Sequence, residues 1–259
     1  MTASIIFEAV DFGFRDRAVL HGLSFQAYPG EFLAIVGPNG CGKSTTLKLM
    51  AGLHQPVAGR ILIDGADLHG IGRKALSRQV ALLTQASLAP PNMTVGDLVA
   101  MGRFAHQTLL GRRTAVDAAQ IARAMQRMEV EELRDRRIGE LSGGQLQRCR
   151  MAMALAQDAP ILLLDEPTTY LDLRYQFGIL EAARAEARAG RTVVAVLHDF
   201  THASLYADRV AVMDDGRLAR LGPPADVLTE ELVEKVFDVR TRAVVAHGAV
   251  FHIPDGALK

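Results

Sequence analysis

The sequence predicts an α/β fold in which a mainly parallel sheet is wrapped by helices and interrupted by a helical insertion. Three observations carry that prediction. Short β-rich runs recur along the chain ("EFLAIVG", "VALLTQ", "ILLLDEP", "TVVAVLHD") with helix-periodic stretches between them, the pattern of strands alternating with covering helices. From about residue 89 to 158 the β-branched runs vanish, and apolar residues return at helical spacing, as at Ala118, Ile121, Met125 and Met128. The stretch "EFLAIVGPNGCGKST" (31–45) reads as a buried strand, a glycine-rich turn and a helix carrying Leu47 and Met50.

Each element follows from local chemistry. "GRILIDG" is a short β-rich run bracketed by glycines, and "VALLTQ" is another. After "ILLLDEP", a helical stretch through Leu173, Phe177 and Leu180 stops at Gly190, a suitable C′ glycine. "TVVAVLHD" is the next strand, and "VAVMDDGRLARLG" reads as a hairpin turned on Asp215–Gly216. A helical piece (225–237) and a β-like end (243–253) finish the chain. No internal repeat or low-complexity tract interrupts it. The expected organisation is one domain over 1–259: residues 1–88 and 159–259 form an α/β lobe, and 89–158 a helical subdomain.

Composition narrows the function classes. The 259 residues are 49% hydrophobic and 22% charged, as in an ordinary globular protein, and the 29 basic side chains are matched by 29 acidic ones. That balance argues against a protein that holds nucleic acid through bulk positive charge. The basic clusters "GRR" (111–113) and "RDRR" (134–137) read as solvated faces. Two cysteines, Cys41 and Cys149, make neither a disulfide framework nor a thiolate zinc site, and their scarcity suits a reducing compartment. The first residues lack a basic n-region and an apolar h-region, so no secretory signal is expected, and no apolar run is long enough to span a bilayer.

"GPNGCGKST" fits G-x-x-x-x-G-K-[ST], with Gly37, Gly42, Lys43 and Ser44 in register between a strand and a helix. Small residues let backbone N–H groups curl around phosphate oxygens. The helix N-terminus adds a favourable dipole, Lys43 supplies charge to the β- and γ-phosphates, and Ser44 offers a hydroxyl to Mg²⁺. "ILLLDEP" sets Asp165 and Glu166 at the C-terminal end of a buried strand, where ligands of open α/β sheets bind. Asp165 is placed to hold the metal or its water, and Glu166 to polarise the attacking water. His198 ends "TVVAVLHD" in the same way, within reach of a γ-phosphate, and Gln85 ends "VALLTQ", where it could reach metal or water. The other histidines (21, 54, 69, 106, 202, 247 and 252) have no ligand spacing and read as surface or packing residues.

One stretch resists a single-site reading. In "GELSGGQLQRCRMAMALAQD" (139–158), Ser142, Gly143 and Gly144 open a helix as a phosphate-binding turn would, yet no lysine follows. The helix behind carries Leu146, Cys149, Met153 and Ala156 at 3-4-3 spacing, which makes Cys149 a core residue.

Taken together, these elements resemble the nucleotide-binding subunit of an ABC transporter, from about residue 5 to 240. The set is ordered: Walker A (Gly37, Pro38, Asn39, Gly40, Cys41, Gly42, Lys43, Ser44, Thr45), Q-loop Gln85, signature "LSGGQ" (141–145, with Ser142, Gly143, Gly144 and Gln145), Walker B (161–166), "TTYLD" ending in Asp172, and switch His198. The resemblance implies a P-loop NTPase fold of ABC type: a RecA-like core, an antiparallel β subdomain and a helical subdomain. Phe14 aligns with the family's adenine-stacking aromatic, where tyrosine is commoner. Cofactors would be ATP and Mg²⁺, with Ser44, Gln85 and Asp165 at the metal and Glu166, His198 and Gln85 in catalysis.

"GRFAHQ" (102–107), "MAMALAQD" (151–158) and "EPTTYLDLRYQ" (166–176) resemble ATPases of ferric-siderophore importers, a group that also takes up haem and cobalamin. Ala105 stands where proline is usual, which is expected to loosen that turn. The implied partners are a second copy, closing head to tail over two ATP molecules, transmembrane permease subunits, and indirectly a substrate-binding protein. The implied location is the cytoplasmic face of the cell membrane. Substrate identity rests on analogy alone, because such a subunit does not touch the cargo. An intracellular ABC ATPase of iron–sulfur assembly would share every nucleotide motif. A mechanical or translational ABC protein would carry a coiled coil or two nucleotide domains, and a catalytically dead binding module would lack Lys43, Glu166 or His198.

Overall fold

The computed structural model describes residues 2–15, 17–84, 90–107, 114–169, 171–246 and 248–257. In chain order its elements are β1 (Ile5–Phe14), β2 (Arg17–Ala27), β3 (Phe32–Val36), α1 (Lys43–Met50), β4 (Ala58–Ile63), β5 (Ala66–Asp67), α2 (Arg73–Gln79) and β6 (Val80–Leu83). Next come α3 (Val95–Met101), α4 (Ala115–Arg127), α5 (Gly143–Ala156), β7 (Ile161–Asp165), α6 (Leu173–Arg188) and β8 (Thr192–Val196). The chain closes with α7 (Phe200–Tyr206), β9 (Arg209–Asp214), β10 (Arg217–Gly222), α8 (Pro224–Val227), α9 (Glu230–Phe237), β11 (Val239–Ala246) and β12 (Ala249–Ala257).

A six-stranded sheet in the order β10-β9-β3-β8-β7-β6 is the frame. Strands β9, β3, β8, β7 and β6 run parallel, and only the β9–β10 hairpin is antiparallel. Every residue of β3, β7 and β8 is buried, because helices or strands cover both faces. Side-chain alternation divides them between two cores. Phe32, Ala34 and Val36 of β3, with Leu162 and Leu164 of β7, join the core formed with α3 to α7. Leu33, Ile35, Ile161 and Leu163 face the other core, with α1 and a second sheet. That second sheet, β2-β1-β4-β5, is antiparallel and bulged at Ala9, whose φ is 47°.

Helices α3, α4 and α5 follow one another between β6 and β7, and each begins at a hydroxyl cap: Thr94, Thr114 and Ser142. On α4 the buried stripe is Asp117, Ile121, Ala124 and Met125. Ala118, expected on that face, is exposed. A carboxylate takes the inward place because Arg103 meets it, Nε to Oδ1 at 2.8 Å, with both side chains almost wholly buried. Arg103 also donates to the carbonyls of Ala156 (3.0 Å) and Gln157 (3.3 Å), so it ties α4 to the end of α5.

Helix α5 is buried on more than the expected stripe. Gln147, Met151, Ala152, Ala154 and Leu155 are covered as well as Cys149 and Ala156, while Leu146 and Met153 are only half-buried. The helix packs against α3 and α4 on one side and against β6 and α6 of the main-sheet layer on the other. Burial pushes the Cys149 thiol up to about 11, as befits a core residue. At the Ala105 turn, His106 N–H donates to Arg103 O (2.9 Å), and Ala105 O accepts from Arg78 Nε (3.0 Å). Residues 134–137 are exposed, and 111–113 lie outside the described residues.

Candidate active site

The phosphate loop leaves the end of β3 and enters α1 through Gly42, whose φ of 101° is left-handed and free of strain only for glycine. Gly37 is required by close approach: a Cβ there would stand 2.3 Å from Met213 O and 2.7 Å from Cys41 Sγ. Cys41 therefore packs behind the loop, and burial pushes its thiol pKa up. Gly216 N–H donates to Cys41 O (3.2 Å), which fastens the loop to the β9–β10 turn. Pro38 and Thr45 are half-buried, whereas Asn39 and Gly40 are exposed. Buried Lys43 donates from Nζ to Gly37 O (2.7 Å) and Pro38 O (2.8 Å), so the loop's own carbonyls hold its ammonium.

Ser44 Oγ donates to Asp165 Oδ1 at 2.8 Å, joining the start of α1 to the end of β7. Asp165 is 5% exposed, and burial raises its pKa against the opposing hydrogen bond from Ser44, with the neighbouring Glu166 charge raising it further. A buried carboxylate next to a hydroxyl is a hard-oxygen donor pair that suits Mg²⁺, whose charge would offset the burial cost of the anion.

The next residue, Glu166, has a φ of 50°, a left-handed conformation that costs a non-glycine residue about 1–3 kcal/mol. That geometry accompanies a turn at the strand end. Glu166 Oε1 lies 2.6 Å from His198 Nε2, and Thr169 Oγ1 donates to Glu166 Oε2 at 3.4 Å. The two strands that carry Glu166 and His198 are neighbours, with Asp165 opposite Val196.

Phe14 is half exposed at the end of β1. With Arg17, Ala18, Val19, Gly40, Asp215 and Gly216 it lines a cavity of about 300 Å³ beside the phosphate loop. His54 supports this platform, stacked on Phe12 at 5.1 Å and edge-on to Phe14 at 5.3 Å. His54 and Arg17 carry no motif in the sequence, and Asp215 shows there only as a hairpin-turn residue. His54 is separated from Phe14 by forty residues, and only the fold makes them neighbours.

Ser142 and Gln145 form a reciprocal cap: Ser142 Oγ accepts from Gln145 N–H (3.3 Å), and Gln145 Oε1 from Ser142 N–H (3.0 Å). Ser142 and Gly143 are exposed, and Gly144 is half-buried. Asp172 is exposed at the start of α6, where its carbonyl accepts from Tyr175 N–H (2.9 Å) and Gln176 N–H (3.0 Å). One chain thus gathers Lys43, Ser44, Asp165, Glu166 and His198 around one strand edge, while Ser142 to Gln145 stand on the α3–α5 unit. Gln85 lies outside the described residues.

Comparison with known proteins bears on this arrangement. Residues 20–169 match the family model for ABC transporters, which spans more than half the chain. The chain belongs to the ABC transporter family. It is 38% identical over 234 residues to the ferric enterobactin transport ATP-binding protein FepC of Escherichia coli (strain K12), covering 90% of this chain and 86% of that relative. It is 43% identical over 212 residues to the cobalamin import ATP-binding protein BtuD of Halobacterium salinarum (strain ATCC 29341 / DSM 671 / R1), covering 82% of this chain and 53% of that one. Among solved structures, a chain of an inward-facing ABC transporter of metal-chelate type superposes with a TM-score of 0.83 at 25% identity, over 98% of each chain.

The fold is accordingly that of an ABC-type P-loop NTPase with antiparallel β and helical parts. As an ABC transporter ATP-binding protein, the chain is an ATP-hydrolysing enzyme.

Proposed function

We propose that this chain is the ATPase subunit of an iron-chelate importer, with a ferric siderophore as cargo of the whole system. The observation that carries the catalytic half is the pairing of Ser44 with Asp165 and of Glu166 with His198 at the ends of adjacent strands, beside the phosphate loop. The "GPNGCGKST" backbone and Lys43 hold the β- and γ-phosphates, and Phe14 stacks on adenine. Ser44 and Asp165, with Gln85, would hold Mg²⁺, which when bound neutralises phosphate charge. Glu166 orients a water for in-line attack on the γ-phosphorus while the bond to the ADP oxygen breaks, and His198 steadies the γ-phosphate oxygens.

Ser142, Gly143, Gly144 and Gln145 complete the site of a second copy, and Asp172 meets that copy near its nucleotide. The missing lysine of this second turn is then supplied by the partner's Walker A loop. Two copies related head to tail present the same two surfaces to each other. Closure over ATP and reopening after hydrolysis drive the permease subunits, which dock on the helical subdomain. The chain sits peripherally on the cytoplasmic face of the membrane; none of the described helices is long and apolar enough to cross it.

The cargo assignment is supported by the relative whose name specifies ferric enterobactin and by "PTTYLD" at 167–172. The halobacterial relative supports cobalamin as the second reading. The test is to reconstitute the chain with its permease and binding protein in liposomes and measure ATPase stimulation by ferric siderophores, haem and cobalamin separately. Stimulation by a ferric siderophore alone is expected. Stimulation by cobalamin or haem alone would reassign the cargo.

A further inference from the structure

The two glycines of the signature turn have different surroundings. A Cβ at Gly143 would meet nothing within 4 Å, whereas one at Gly144 would stand 2.8 Å from Tyr175 Cδ2 and 3.1 Å from Tyr175 Cε2. The space beside Gly144 is already filled by a ring of the same chain. Tyr175 lies in the first turn of α6, three residues past Asp172. The Arg148 guanidinium carbon is 4.9 Å from the centre of that ring, within the range of cation–π attraction. Gly144 and Arg148 are four apart on α5, so the ring covers one face of its first turns.

Arg148 continues the link by donating from Nη1 to the carbonyls of Met128 (3.2 Å) and Glu129 (3.1 Å), just past the end of α4. Between them in sequence, buried Gln147 donates from Nε2 to Pro167 O (3.2 Å), the carbonyl that follows Glu166. Among the described residues of this stretch, Pro167 and Tyr175 are therefore each fastened to the start of α5. One is a hydrogen bond and the other a packed ring.

We infer that Tyr175 is a positioning residue for the signature turn, and that Gly144 is glycine to admit its ring. This inference rests on the head-to-tail reading, in which Glu166 and Ser142 of one chain serve two different nucleotides. The Tyr175 and Gln147 links couple the catalytic segment of one site to the covering turn of the other.

The test uses the purified full chain and reads steady-state turnover together with nucleotide affinity. Tyr175→Ala should lower kcat at least about tenfold while ATP affinity stays within about twofold of the parent. Tyr175→Phe, which keeps the ring, should restore turnover to within about twofold. Gly144→Ala should also slow turnover, and the double variant G144A/Y175A should be no slower than the slower of the two single variants, because the two changes break one contact.

Parent-like turnover in Y175A would overturn the inference. So would an equal loss of turnover and affinity, a Y175F variant as slow as Y175A, or effects that multiply in the double variant. Glu166→Gln is the control for the reading beneath it. If that variant forms no two-nucleotide dimer, the head-to-tail arrangement falls and the coupling with it; if the dimer forms and Y175A is parent-like, only the role of Tyr175 falls.

Discussion

His198 Nε2 and Glu166 Oε1 stand 2.6 Å apart, on residues that follow the ends of two adjacent parallel strands. The contact fixes the carboxylate at a residue whose backbone is itself left-handed. His198→Ala should therefore lower kcat by about 10²-fold, the lower range for a positioned acid–base or hydrogen-bonding group, while ATP affinity changes little. Stopped assays of phosphate release, paired with equilibrium nucleotide binding, separate the two effects. A loss of affinity that matches the loss of rate would place His198 in ground-state binding instead.

Lys43 is the buried cation of the phosphate loop, held by the carbonyls of Gly37 and Pro38. Lys43→Ala should weaken ATP binding at least about tenfold, the equivalent of roughly 1.4 kcal/mol, with little effect on thermal stability. Fluorescent-nucleotide titration checks it. Unchanged affinity would count against the loop as the nucleotide site.

Phe14 contributes an exposed face above a cavity that reaches Gly40. Removing a stacking aromatic costs roughly 1–3 kcal/mol per base. Phe14→Ala should accordingly raise KM for ATP about 5- to 160-fold at nearly constant kcat, and His54→Ala should do so more weakly, through loss of the ring's support. Inorganic triphosphate, which has no base, should bind parent and F14A alike.

The Arg103–Asp117 pair governs stability rather than turnover. The Thr114 backbone N–H, followed by the Arg103 hydrogen bond, holds the Asp117 carboxyl at about 2, below its ordinary 3.8. A depressed carboxylate stabilises the folded state at pH values above its unfolded pKa, and that contribution is lost as pH falls from about 4 toward 2. Asp117→Asn leaves Arg103 buried without its counter-charge and should cost about 3–5 kcal/mol at pH 7. Urea midpoints of parent and variant should converge as pH approaches 2. A constant gap across that range would contradict the assignment.

The sheet strands were legible because strands covered on both faces read as unbroken apolar runs, and "FLAIV", "ILLLD" and "TVVAV" have that form. The phosphate loop and the strand-end acids were legible because their chemistry is contiguous in sequence. What sequence periodicity misplaced was the buried face of α4, because counting apolar residues favours Ala118 over Asp117. A carboxylate turns inward only when a partner fourteen residues away supplies Arg103. His54 under Phe14 and Tyr175 against Gly144 escaped for a related reason. Both are contacts between distant segments, and neither residue carries a local motif.

The central claim, an ATP site completed by a second copy, is tested most directly by Glu166→Gln with saturating MgATP, with mass by sedimentation and bound nucleotide counted together. The account predicts a dimer holding two ATP, with hydrolysis lowered at least about 10²-fold. A monomer holding one ATP, or hydrolysis at the parent's rate, would contradict it.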